Sequence, residues 1–532
     1  MTSCACPTRW RRRRPDRHLR QTGTPAAEGP IITADVDRLI TELLTAAPER
    51  FHCPGIAYGL IVGGVLTRSG GVGSVVPGGA TPASSTLYRI ASMTKSFTAS
   101  AVLQLRDRGL LHLDDEVERW VPQLQLTMPT TDSPPVTVRQ LLTMASGLST
   151  DDPWADRHLD ADRPFMDALF AAGGTFATAP ATAMVYSNYG YAILGRVIEA
   201  VSGVAPQRYI SEHLLEPLGM SSTGWTSDHL RADTMRTDDL RTDDLEIAPP
   251  FRWQDDALVP DDEPIGDGGF ASMGGLWSTV EDLARWVAFQ CDAFPARNDP
   301  DDGPLRRSSR REQQQVWRDR PPGSSHSGQG RVKLKVAGYG MGLMITHHDD
   351  LGLMVGHGGG LPGYGSHMRW IPHHGIGVVL LANVTYARMG DLSLELLELL
   401  HRHGAIPSAP SPIAPDLQRR TDTLVALLND WDQTVADELF ADNVFADDSA
   451  ARRKAAAAEL VAAHGRLRVV EINPTNATEA RITLVGERPD AASATVHLDV
   501  QLSPQVPPLL QFYEVITTAL DSAAADEDDA HS

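Results

Sequence analysis

Lysine is almost missing from this chain of 532 residues: only Lys95, Lys333, Lys335 and Lys454 stand among its 47 basic residues. Arginine serves a solvated surface equally well but keeps its proton in a protein, so a lysine retained here points to a position where titration matters. Cysteine is as scarce. Cys4, Cys6, Cys53 and Cys291 form no regular spacing, which excludes a disulfide framework and gives no sign of an oxidising compartment. No run reaches the roughly 18 apolar residues of a membrane span. The Arg11–Arg14 run is followed by polar, Pro/Gly-rich sequence rather than the apolar stretch of a secretion signal. We therefore expect a soluble, cytoplasmic protein that binds no membrane. The arginine run reads as a solvated tail, a start codon set too far upstream, or a targeting or nucleic-acid patch. The formal charge of −21 argues against nucleic acid as a partner. Also missing are a G-x-S-x-G elbow, an H-E-x-x-H motif and paired C-x-x-C motifs, and His347-His348 and His373-His374 read as surface residues rather than metal ligands.

What is present suffices for a large core, since 42% of the residues are hydrophobic. Apolar spacing predicts a helix over 32–47, opened near Thr33, then strands at 54–63 and 65–76 joined by Gly63-Gly64, a hairpin signal. A long helix follows from about Ser92 to Gly109. From about 110 to 265 the pattern is an inserted all-α subdomain, with helical signals at Val136–Leu142 and from Asn188 to about Val201. Within it Arg236-Thr237-Asp238-Asp239-Leu240 is repeated as 241–245, too short a period for a repeat architecture. Gly268–Gly275 reads as a flexible run before a helix at 279–289. A variable segment at 291–332, with one helix around 304–318, is expected to be partly mobile. Strands are expected at 337–346, 352–356, 366–371 and 375–382, then a helix at 391–401. Strands at both ends with helices between them predict one antiparallel sheet flanked by helices and assembled from both termini.

The domain organisation expected is a disordered Arg-rich tail at 1–29, a catalytic-sized domain at 30–405, a Pro-rich linker at 406–415, a small α+β domain at 416–520 and an acidic tail at 521–532. The small domain reads as helices at 416–428, 431–440 and 449–464 followed by four strands between 466 and 516. Two roles are open to it, a lid near a site entrance or an association surface.

The stretch that carries chemistry is Ala91-Ser92-Met93-Thr94-Lys95. Spacing of three on a helix sets the Ser92 hydroxyl beside the Lys95 amine. An amine that can lose its proton is one of the few groups able to activate a hydroxyl nucleophile. A helix N-terminus, with its unpaired N–H groups and positive dipole end, also favours developing negative charge. Two other pieces attract notice, Tyr186-Ser187-Asn188 at a helix mouth and His357-Gly358-Gly359 at a strand end. Singly, each has a plain structural reading: Tyr186 a buried aromatic, Asn188 an N-cap, His357 a satisfied histidine.

Together and in this order, S-x-x-K, Y-x-N and H-x-G resemble the serine β-lactamase and penicillin-recognising family, in its class C and D-alanyl carboxypeptidase/esterase branch. The flanks Leu141–Leu148, Pro217–Met220 and Gly274–Leu283 resemble it too, and the resemblance runs from about residue 31 to 402. It implies an α/β (α+β) β-lactamase-like fold. It also implies that Ser92 attacks an acyl carbonyl, that Lys95 and Tyr186 share the proton transfers, and that Asn188, His357 and Gly359 bind substrate. The backbone N–H groups of Ser92 and Gly360 would form an oxyanion hole. An acyl-Ser92 intermediate is then hydrolysed without metal or cofactor. For Tyr186 to act as a base near pH 7 its pKa must fall, an effect expected of the Lys95 ammonium. His357 stands where the β-lactamases of the branch usually carry lysine, and Met144 where many relatives carry histidine. The expected function is a serine hydrolase acting on small esters or amides, esterase-like or D-aminopeptidase/carboxypeptidase-like, with a small-molecule substrate as its partner. The alternatives are a true β-lactamase or D,D-peptidase, and a catalytically idle binding or scaffold relative.

Overall fold

The computed structural model describes residues 32–226, 246–261, 266–320, 323–326, 332–406, 413–488 and 495–517. The Arg-rich tail, the 236–245 duplication, most of the Pro-rich linker and the acidic tail lie outside them. The chain divides into two compact units, Met1–Ser408 and Ala409–Ser532.

The first unit is built on a nine-stranded sheet in the order Val65–Gly73, Gly55–Val62, Ile376–Ala382, Tyr364–Ile371, Gly352–Leu361, Met344–His348, Val332–Tyr339, with Arg318–Asp319 and Gly323–His326 both paired to the last. Its long ladders are antiparallel and join the two ends of the unit, as Ile56 pairing with Ala382 shows. Burial of both faces explains why Gly55–Val62 and Ile376–Ala382 are apolar throughout. In Gly55–Val62, Ala57 and Ile61 enter one core while Ile56, Leu60 and Val62 enter the other. The second core lies under helices Ala34–Arg50 and Met389–Arg402. The first contains helices Thr94–Asp107, Asn188–Ser202 and Val280–Cys291, and from Thr94 to Leu105 the first of these is buried at every position. Among the described residues no helix is long and apolar enough to cross a membrane.

Several expectations need correction. The inserted subdomain is not all helix, because Phe251–Gln254 and Ala257–Pro260 form a hairpin turning at Asp255 and Asp256, both with positive φ. The expected strand at 337–346 is two strands, since Gly342 at φ +72° turns the chain between them. The strand at Gly352 does not stop at Gly356 but continues through the glycines to Leu361. Gly268–Gly275 is not a flexible run: Ala271–Gly274 is a buried helical turn. Its glycines admit close packing, as a Cβ on Gly268 would lie 2.4 Å from the Asp160 carbonyl carbon. The described part of 291–332 carries ion pairs, with Arg307 joined to Asp299 and Arg310 to Asp292 and Asp301.

The second unit carries helices Pro415–Asn429, Gln433–Leu439, Asp442–Asp447 and Ala450–His464, then four antiparallel strands in sequence order between Leu467 and Thr517. Its core is its own, from Leu417 and Leu424 to Ile482, Leu498 and Leu510. Ser449 caps the last helix by accepting from the Arg452 N–H at 3.4 Å.

Candidate active site

The site begins with a backbone held in an unfavourable shape. Ala91 has φ +49°, a left-handed conformation that costs a residue with a Cβ about 1–2 kcal/mol. Two bonds hold it: the Ile90 N–H donates to Leu276 O at 3.0 Å, and Ser366 Oγ donates to Ile90 O at 2.9 Å. The chain then makes a 3₁₀ turn over Ala91–Met93 and enters the helix Thr94–Asp107, so Ser92 stands just ahead of its first turn. Its neighbours are buried while Ser92 itself is partly open.

Lys95 is fully buried, and its ammonium has three acceptors: Ser92 Oγ at 2.9 Å, Asn188 Oδ1 at 2.7 Å and Met273 O at 2.8 Å. Two of these are fixed acceptors and claim two hydrogens. The third direction faces Ser92, so in the neutral amine the lone pair points at the nucleophile. Burial lowers the Lys95 pKa to about 8, against the opposing pull of Asp152, Asp156 and Asp151. The rings of Tyr186 and Tyr191 flank it, with centroids 5.0 and 5.6 Å from Nζ.

Asn188 is fully buried and occupied by protein, its Nδ2 donating to Asp152 Oδ1 at 2.6 Å. Its carboxamide thus holds Lys95 through Oδ1, with one of its two N–H donors taken by Asp152. Asp151 caps the same helix, its two oxygens accepting from the N–H groups of Asn188 at 2.7 Å and Tyr189 at 2.8 Å. Met144 lies behind this mouth with φ +57°, its sulfur accepting from the Ser187 N–H at 3.4 Å. Met144 thus braces the Tyr186-Ser187-Asn188 segment. Sequence reasoning passed over Asp151, Asp152, Asp156 and Met273. Asp151-Asp152-Pro153 has the composition of a helix start, but nothing in the sequence ties it to Asn188 across 36 residues.

Tyr186 is half-buried and hydrogen-bonded to the Ser92 hydroxyl, yet burial and then the Asp152 carboxylate push its pKa well above the usual phenol value. The expected lowering is absent, because desolvation of the phenolate outweighs any attraction to lysine. Tyr186 therefore keeps its proton near neutral pH, which leaves its hydroxyl able to donate.

His357 is 1% exposed and both ring nitrogens are engaged. Nδ1 lies 2.6 Å from its acceptor Gly358 O, which leaves Nε2 to accept from the Tyr339 hydroxyl at 3.1 Å. Burial and then Lys95 lower its pKa to about 3, so the ring is neutral. It offers neither a charge nor a spare N–H to a substrate carboxylate, and forms part of the wall behind the site. The backbone beside it faces the nucleophile. Pairing with Met344–His348 ends at Gly356, leaving that side of 357–361 to the Ala91–Met93 turn. A Cβ on Gly359 would lie 2.2 Å from Ile90 O and 2.3 Å from Ser366 Oγ, so only glycine fits. Gly360 follows it, paired with Gly365 on the other side.

The structure thus brings Lys95, Tyr186, Asn188, His357, Gly359 and Gly360 together around the turn that carries Ser92. A family model described as Beta-lactamase matches residues 36–402. Protein flp of Staphylococcus aureus (strain MW2) is 25% identical over 357 residues, covering 66% of this chain and 64% of that protein. Penicillin-binding protein 4* of Bacillus subtilis (strain 168) is 26% identical over 297 residues, 54% of this chain and 58% of that one. The chain therefore spans less than two-thirds of the length of these relatives. The solved octameric penicillin-binding protein homologue from Pyrococcus abyssi shares the fold, with a TM-score of 0.56 at 22% identity, covering 91% of this chain and 89% of that one.

Proposed function

Because the chain belongs to the Beta-lactamase family, we propose that it is a serine hydrolase that cleaves small esters or amides through an acyl-Ser92 intermediate. The observation that carries this reading is the fixing of Lys95 by Asn188 Oδ1 and Met273 O, which aims its third valence at Ser92 Oγ. Neutral Lys95 takes the hydroxyl proton as Oγ bonds to the acyl carbon, and the carbonyl oxygen becomes an oxyanion. The N–H groups of Ser92 and Gly360 would receive it, the first with the positive end of its helix behind it. Protonated Tyr186, hydrogen-bonded to Ser92, supplies the proton the leaving group needs and is reprotonated from Lys95. Water then attacks the acyl carbon, losing a proton to neutral Lys95, which returns it to Ser92 Oγ as the acyl–oxygen bond breaks.

Neutral His357 argues for an uncharged or weakly anchored substrate, and so for esterase or amidase chemistry over hydrolysis of carboxylate-bearing β-lactams. The penicillin-binding relatives keep β-lactams as the second reading. A cytoplasmic location and a small-molecule partner belong to the same proposal. The test is intact mass after a fluorophosphonate, on wild type and Ser92→Ala, with p-nitrophenyl ester and nitrocefin turnover alongside. One adduct on wild type only, with ester but not nitrocefin turnover, is expected. Nitrocefin turnover would move the assignment to β-lactamase, and no adduct with no turnover would leave a binding protein.

A further inference from the structure

The strand that begins the site at His357 reaches Gly360 about 10 Å further on, at roughly 3.3 Å per residue. Tyr186 flanks the first position, with ring centroids 6.2 Å apart. A different tyrosine flanks the second. A Cβ on Gly360 would lie 2.5 Å from Tyr386 Cδ1 and 3.2 Å from its Cε1, so the Tyr386 ring rests on the Gly360 backbone. From there its hydroxyl crosses to the helical subdomain and donates to Asp156 Oδ2 at 2.8 Å. Asp156 is 3% exposed and Tyr386 is 47% exposed, so the ring forms a rim over a buried anchor. The residue is held there at a cost. Tyr386 has φ +55°, rare for an aromatic residue, and its N–H is tied to Tyr364 O at 3.1 Å.

Tyr386 also lines a solvent-open groove of about 350 Å³, together with His52, Trp253 and Val384 and the charged Arg50, Arg388 and Asp391. We propose that Tyr386, spanning the cleft to Asp156, is the residue that limits the size of the acyl group. The inference rests on the acyl-Ser92 reading. In that reading the leaving group departs beside Tyr186, at the His357 end, and the acyl chain extends toward Gly360, where the Tyr386 ring closes the cleft. Short acyl groups fit in front of the ring, whereas long ones need the groove that it lines.

The experiment compares kcat/KM for p-nitrophenyl esters from acetate to octanoate in wild type, Tyr386→Ala and Tyr386→Phe, with Ser92 titrated by fluorophosphonate and intact mass to count active protein. Wild type is expected to favour the short esters. Tyr386→Ala is expected to raise the octanoate-to-acetate ratio about tenfold or more, and Tyr386→Phe, which keeps the ring, to retain the wild-type profile. Tyr386→Leu carries the same prediction at smaller amplitude if the alanine variant does not fold. Equal ratios in wild type and the ring-less variants would overturn the proposal while leaving the hydrolase reading in place. A wild type that takes no adduct and turns over no ester would overturn the hydrolase reading itself, and the size limit with it.

Discussion

At the scale of single residues, the site separates two groups that the motifs present as equals. Lys95 and Tyr186 both touch Ser92, and burial acts on both. It disfavours whichever form is charged, so it eases proton loss from the lysine and hinders it in the phenol. In the proposed mechanism, one physical cause therefore makes Lys95 the base and Tyr186 the donor. Lys95→Arg should lose turnover by about 10³-fold or more, since guanidinium keeps its proton while the charge is conserved. Tyr186→Phe should cost less, about 10²-fold, and most on esters with poor leaving groups, as steady-state kinetics over leaving groups of graded pKa would show. A larger loss in Tyr186→Phe than in Lys95→Arg would reverse the assignment. The scarcity of lysine made Lys95 legible in the sequence. The roles of Asn188 and His357 were not, because each depends on a partner, Asp152 or Tyr339, that only the tertiary structure supplies.

At the scale of elements, the nucleophile turn is held by what the sheet permits to approach it. The sheet from both termini, the hairpin at Gly63-Gly64 and the helix stopped at Gly109 were legible from apolar period and glycine position. The continuation of the Gly352–Leu361 strand through three glycines was not. Glycine lowers strand propensity, and the compensating contact comes from Ile90, more than 250 residues earlier. Gly359→Ala tests that contact, because its methyl must displace Ile90 O or Ser366 Oγ. Urea unfolding should show a loss of about 1–3 kcal/mol, and fluorophosphonate labelling of Ser92 should slow by more than the stability loss accounts for. Unchanged labelling would mean that the turn does not depend on the strand.

At the scale of the molecule, the first unit's two cores draw on residues from Val36 to Ala405, and the second unit's core on residues from Leu417 to Leu510, with no member in common. The proline cluster from Pro407 to Pro415 lies between these two sets of residues in the sequence. Each unit should therefore unfold cooperatively by itself. Calorimetry of 1–408 and 409–532 expressed separately is expected to give one transition each, and Ser92 in the 1–408 fragment should still take a fluorophosphonate. A fragment without a transition would show that the two cores are not independent.

The most direct test of the central claim, that neutral Lys95 activates Ser92, is the pH dependence of acyl-Ser92 formation in the full-length wild type, from burst kinetics on a p-nitrophenyl ester. With the Lys95 pKa lowered to about 8, the second-order rate should rise as pH approaches 8 and level off above it. A rate that is flat from pH 6 to 10, or one that first levels off in the range of a phenol, at about 10 or above, would contradict the account.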